Sequence, residues 1–249
     1  MLLPPTTQPP STAIERRHSP PRAGFQSYRP CLRWDFGFTC AFCLLHETDL
    51  GSDLSGIEGT GLTTIEHWHP QSAAPELANE YSNCLYACRF CNRSRGTSPV
   101  ESPADGRLLN PCANVWSEHF TARGDRIVVA REDRDALRTE RVYDLNDPRK
   151  VALRRRRREL IEAALATIRE ASTIPELILI AEHLDGSERE EVIRAAEFLR
   201  DQVNRARGQL VRLEAVPVDV DLECRCQRVE FSLAPHLARQ CVPHEAMAD

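Results

Sequence analysis

Cys40-Ala-Phe-Cys43 and Cys88-Arg-Phe-Cys91-Asn92-Arg93-Ser94-Arg95-Gly96 are the stretches whose reading decides the fold. Each opens with two thiols separated by two residues. Two such pairs can close a tetrahedral zinc site, and four sulfur ligands leave no open position, so an ion held there is structural. The stretch between the pairs is long for a small zinc finger, which places an insertion between them. That insertion contains Ile65-Glu66-His67-Trp68-His69-Pro70 and, further on, Asn83. An ion shared by both pairs would draw these segments together, so that His67 and Asn92 face one group.

Composition narrows the setting. The 249 residues can bury a core, in one large domain or two small ones. The formal net charge of -5 argues against a nucleic-acid coat while leaving room for a local basic face. Met1-Leu2-Leu3 runs at once into Pro4-Pro5, too short an apolar stretch for a signal peptide. No apolar run reaches the roughly 18 residues of a membrane span. A cytoplasmic protein is therefore expected. In that reducing setting CxxC pairs are metal ligands rather than disulfides.

Residues 1–24 carry Pro4, Pro5, Pro9, Pro10, Pro20 and Pro21 among Thr, Ser and Gln, and are expected to form a disordered tail. Tyr28 to Phe38 should pack on the zinc region. Gly51, Gly56, Gly59 and Gly61 suggest a mobile loop over 49–62. Thr63–Trp68 and Asn83–Ala87 read as strands, and Arg89–Arg95 as a short helix. The second half is helical. Asp147-Pro148 gives an N-cap and a first helical position, followed by the stripe Leu153, Leu160, Ile161, Leu165, Ile168. A helix over Thr173–Leu184 follows. Ser187 with Glu190 then makes a capping box for a third helix, which Gly208 should end. One or two strands are expected within 210–233.

Glu66, His67, Asn83 and Asn92 suit phosphodiester hydrolysis. A neutral imidazole near physiological pH can take a proton from water. A carboxylate with an amide oxygen can hold one Mg2+ or Mn2+, which would relieve charge on the leaving oxygen. Neighbouring strand residues point to opposite sides, so Glu66 and His67 serve one site only where the strand ends or twists, as Pro70 allows. A packed or surface histidine is the competing reading of His67 alone.

Cys40xxCys43, Glu66-His67xxPro70, Asn83 and Cys88xxCys91-Asn92xxArg95-Gly96 resemble the HNH endonucleases, in their cysteine-bearing, treble-clef or ββα-metal form, across residues 28–98. The resemblance implies His67 as general base and Glu66 and Asn92 as ligands of a catalytic Mg2+ or Mn2+. It implies Asn83 as the residue orienting the His67 loop, and Cys40, Cys43, Cys88 and Cys91 as ligands of a structural Zn2+. Many members have Asp in place of Glu66 and His in place of Asn92. The implied fold class is α+β: a small ββα-metal, treble-clef-like zinc core at 25–125, then a mainly α-helical region at 126–249. DNA is the expected substrate, with RNA as the variant. Leu108-Leu109-Asn110-Pro111-Cys112, Glu118-His119-Phe120 and Asp144-Leu145-Asn146-Asp147-Pro148 narrow the similarity to standalone bacterial HNH proteins of retron or Septu-type anti-phage systems. For those an ATPase partner is implied. A homodimer would supply a second active site for double-strand cutting.

The remaining signals are ambiguous. His69 suits phosphate contact or plain surface exposure, and His119 reads best as a structural histidine. Cys31, Cys84, Cys112, Cys224, Cys226 and Cys241 read as buried thiols, with Cys224-Arg-Cys226 a weak metal signal. Arg89, Arg93 and Arg95 flank the candidate site and are the favoured phosphate contacts. The basic run Arg149–Arg158 suits a polyanion or a solvated face pairing with acidic residues of the third helix. A zinc-stabilised module that grips nucleic acid or protein without cutting is the rival function.

Overall fold

Thr63-Thr-Ile-Glu-His is rich in β-branched residues and forms strand β1 (Thr63–His67). It pairs antiparallel with β2 (Cys84–Cys88), with Thr63 opposite Cys88 and His67 opposite Cys84. Strand β2 is buried along its whole length, which hides the usual alternation. The chain then turns straight into helix α3 (Arg89–Arg95), and the Cys88 sulfur caps it by accepting from the Cys91 amide at 3.4 Å. Gly96 ends the helix at φ +53°, a conformation that favours glycine.

In the computed structural model, residues 8–51, 62–130, 132–170, 173–214 and 226 are described. They fall into two units. The first runs to Arg155 and includes Cys226, and the second begins at Arg156. The hairpin β5 (Phe120–Arg123) and β6 (Arg126–Val129) and helix α5 (Arg134–Tyr143) thus belong to the first unit. The architecture is mixed α and β, with three two-stranded antiparallel sheets among the described residues.

The first unit buries one continuous core. Helix α1 (Arg29–Asp35) supplies Leu32, β2 supplies Leu85 and Tyr86, helix α4 (Trp116–His119) supplies Trp116, and α5 supplies Tyr143. Phe42 stacks on Tyr143 at 3.7 Å between ring centres. Gly106 lies in β4 (Gly106–Arg107), which pairs with β3 (Glu101–Ser102). A side chain there would meet the Asp135 carboxylate at 2.5 Å, and φ is +96°, so glycine is required.

The expected disordered tail is corrected for residues 8–24. They form no helix or strand, as their prolines dictate, yet they are tied down. Arg16 donates to the carbonyls of Tyr81 and Cys84, Asp35 accepts from the Arg17 and His18 amides, and Ile14 donates to Pro111. Asp35 and the Tyr28 hydroxyl thus accept from amides of the segment, and its Arg16 satisfies carbonyls of the core in return, which composition alone does not show. The start of the expected loop, up to Gly51, is the end of helix α2 (Glu47–Gly51). Residues 52–61 lie outside the described residues.

Helix α6 (Pro148–Glu170) begins where expected, with Asp147 accepting from the Arg149 amide. In the second unit, α7 (Ile174–Glu182) packs against α8 (Gly186–Glu214). Gly208 does not end α8. The buried stripe Ala196, Val203, Ala206, Leu210 continues past it, and that packing offsets the roughly 1 kcal/mol an interior glycine costs. Residues 210–214 are therefore helical rather than strand, and the rest of the expected strand region lies outside the described residues apart from Cys226. No helix among the described residues is long and apolar enough to cross a membrane.

Phe42 is wholly buried and stacked. Phe42→Ala is expected to lower the stability of the first unit by about 3–5 kcal/mol, read from chemical denaturation.

Candidate metal centre and active site

A tight loop carries the first cysteine pair. Thr39 and His46 bridge its base, Cys40 donates to Leu45 at 2.9 Å, and Leu44 adopts φ +62°. Ala41 donates to Tyr86 at 2.9 Å, which docks the loop on β2. The β2–α3 turn carries the second pair. All four cysteines are buried, and their sulfurs lie within 4.8 Å of one another. Cys43 and Cys88 sulfurs stand 3.6 Å apart. A disulfide needs about 2.05 Å, whereas ligand sulfurs about 2.3 Å from a tetrahedral ion lie about 3.8 Å apart. The four cysteines form a cluster fit to hold a structural metal such as zinc.

The thiols also show why a cation is needed. Burial works against ionising Cys40, but hydrogen bonds from Cys43, Cys88 and Cys91 prevail and hold it well below the usual thiol range. Cys88 is pushed up through its bonds to Cys40 and Cys43, and Cys91 is pushed up by burial. One thiolate is thus sheltered by its neighbours, and ionising all four requires a positive ion among them.

A divalent ion with four thiolates carries two net negative charges. Two buried cations stand against it, Lys150 and Arg154, both on α6. Lys150 Nζ donates to the carbonyls of Tyr143 and Asp144 at 2.7 and 2.9 Å. Burial acts to lower its pKa, yet the four thiols together raise it. Arg154 donates to the carbonyls of Cys43, Asp125 and Leu145. Burial lowers it, against the pull of Cys43 and Cys91. The basic run therefore splits. Lys150 and Arg154, at i and i+4 on one helix face with Leu153, turn into the core, while Arg155 pairs with Asp125 and stays largely exposed. Sequence reading missed both buried cations, because a basic run carries no mark of which members are inside.

The loop from His67 to Asn83 is clamped by Asn83. Its amide oxygen accepts from the His69 amide at 2.7 Å, and its amide nitrogen donates to the carbonyls of His69 and Leu77 at 3.1 and 3.2 Å. His67 lies at the head of that loop, 9% exposed, with Phe25 packed edge-on at 4.7 Å. His67 Nε2 stands 2.9 Å from the Ala78 carbonyl, which can only accept. The ring therefore donates from Nε2, and when neutral it keeps its lone pair on Nδ1. Burial lowers the His67 pKa, favouring the neutral ring. The Gln71 side-chain amide lies 3.3 Å from the same Nε2.

Glu66 faces the other way. Its carboxylate is 3% exposed and 2.9 Å from Arg95 Nη1, while Arg95 Nη2 donates to the Trp68 carbonyl at 2.6 Å. Burial pushes Glu66 up to about 8, with Arg95 opposing. Asn92 donates to the Ile65 carbonyl at 3.1 Å. Asn92 and Arg95 thus seal one face of α3 onto β1. Beside them opens a pocket of about 430 Å3, lined among the described residues by Thr63, Thr64, Arg89, Asn92 and Arg93. Glu66 and His67 are not among those walls. β1 sends them to opposite sides, with Glu66 toward α3 and His67 toward Phe25 and Ala78.

Arg89 and Arg93 are exposed at the pocket. Arg95 is corrected as a phosphate contact, because it is buried against Glu66. Position i+3 from Asn92 turned it toward β1 rather than solvent. His69 is exposed, its backbone held by Asn83. His119 pairs through Nδ1 with Asp133 at 2.5 Å, the residue that caps α5.

No family model, no curated protein and no solved structure matches the chain.

Cys91→Ser is expected to remove one bound metal ion per chain, measured by elemental analysis of the purified protein. Lys150→Met keeps every cysteine, and its metal should leave to a competing chelator about 10–100 times more readily. Equal retention in the two proteins would separate Lys150 from the metal charge.

Proposed function

We propose that this chain is an HNH-type metal-dependent endonuclease that hydrolyses phosphodiester bonds, DNA first among its substrates. The observation that carries this reading is the state of His67. A carbonyl fixes its Nε2–H, burial favours the neutral ring, and Asn83 clamps the loop that presents it. Those are the requirements of a general base. On this reading the four-cysteine ion is zinc, and β1, β2 and α3 form the ββα-metal, treble-clef-like core around it.

His67 Nδ1 takes a proton from water, whose oxygen attacks phosphorus as the ester oxygen leaves. Arg89 and Arg93, exposed beside the pocket, neutralise the flanking phosphates. Glu66 and Asn92, on the α3 side of β1, are the residues that would hold Mg2+ or Mn2+, and the substrate would have to span the end of β1 to reach both that ion and His67. Asn92 commits its N–H groups toward Ile65, so its amide oxygen is the end suited to a cation, while Glu66 would exchange Arg95 for the ion as counter-charge. Such an ion, when bound, supplies charge relief at the leaving oxygen.

A second reading has its own observation. Arg95 closes Glu66 off, and the open pocket presents Arg89 and Arg93 without Glu66 or His67, which suits a module that grips phosphate without cutting.

A plasmid-nicking assay, with Mg2+ or Mn2+ added or withheld, separates the two. The nuclease reading expects divalent-dependent strand loss that falls by at least about 100-fold in His67→Ala, with bound zinc unchanged. Gel shift without any strand loss would support the gripping module. In either reading, Arg89→Ala and Arg93→Ala should each reduce the salt dependence of binding by about one phosphate contact.

A further inference from the structure

We propose that the first unit carries a second metal site, a Zn2+ held by His18, Cys31 and Cys226. A ring nitrogen of His18 and the sulfurs of Cys31 and Cys226 all lie within 4.8 Å of one another. Both cysteines are buried, and their sulfurs are 3.4 Å apart, close to the 3.6 Å between Cys43 and Cys88. That separation is more than 1 Å too long for a disulfide of about 2.05 Å. Two thiolates on one tetrahedral zinc accommodate it with a slightly closed angle.

His18 gives the independent argument. Its Nδ1 is buried and has no hydrogen-bond partner among the described residues. Buried imidazole nitrogens ordinarily find a partner. The residue is also positioned from outside the ring, because its backbone amide donates to the buried carboxylate of Asp35 at 3.1 Å. Asp35 in turn accepts from Tyr81 at 2.6 Å, so the carboxylate that places His18 is itself fixed. One nitrogen and two sulfurs are a borderline-soft donor set that suits Zn2+.

The three donors come from the proline-rich N-terminal segment, from α1 and from a cysteine 195 residues further along the chain than Cys31. The ion is a clasp that binds these segments to the α1 side of the core. It would account for a proline-rich stretch holding a defined path. Three protein ligands leave a fourth position for water.

The test is metal content of the full chain, purified under reducing conditions. Two zinc ions per chain are expected, falling to one in Cys31→Ser and in Cys226→Ser, with the ion of Cys40, Cys43, Cys88 and Cys91 retained. One zinc in the parent and in both variants would overturn the proposal. So would an intact mass showing a Cys31–Cys226 disulfide in protein prepared this way. Should the variants not fold, the parent protein loaded with Co2+ decides. Two metal equivalents with a second, thiolate-poorer charge-transfer spectrum support the site, and a single four-thiolate spectrum excludes it.

Discussion

Four sulfurs crowded into a buried volume can all ionise only around a cation, and the first unit is arranged to meet that demand. The Thr39–His46 loop brings one pair, and the turn from β2 into α3 brings the other. The two net negative charges of a tetrathiolate ion then need compensation inside the protein, where charge is expensive. Lys150 and Arg154 provide it, and each also satisfies carbonyls that would otherwise be stranded at the ends of α5 and of the Cys43 loop. The four-cysteine cluster, the start of α6 and the β1–β2 hairpin are therefore one electrostatic assembly.

That assembly determines what the neighbouring polar residues can do. β1 is docked on α3 by Asn92 and by the Arg95–Glu66 pair, so its α3 side is closed at Glu66 and open only beyond, at Arg89, Asn92 and Arg93. Its opposite side presents His67 at the mouth of the loop that Asn83 clamps. Chemistry and phosphate contact would sit around a strand end rather than in one enclosed cavity.

The second unit follows simpler physics. Its buried stripe of Ala196, Val203, Ala206 and Leu210 is made largely of small and medium side chains, and long helices supply the packing length. Leu179 and Phe198 stay more than half exposed, so this unit does not bury all the apolar surface it carries.

Much of the first unit could be read from sequence because short-range chemistry sets it. The spacing of Cys40, Cys43, Cys88 and Cys91, the β-branched run before His67, the Asp147-Pro148 start and the i, i+4 stripes each act within a few residues. Orientation was not legible. Whether Arg95 turns to solvent or to Glu66, which members of the basic run go inside, and where a proline-rich segment finds its hydrogen bonds all depend on partners far away in the chain. Sequence fixes which donors, charges and periodicities exist. Only the folded chain decides which of them face each other, because burial, and the demand that every buried charge be met, are properties of the assembled core.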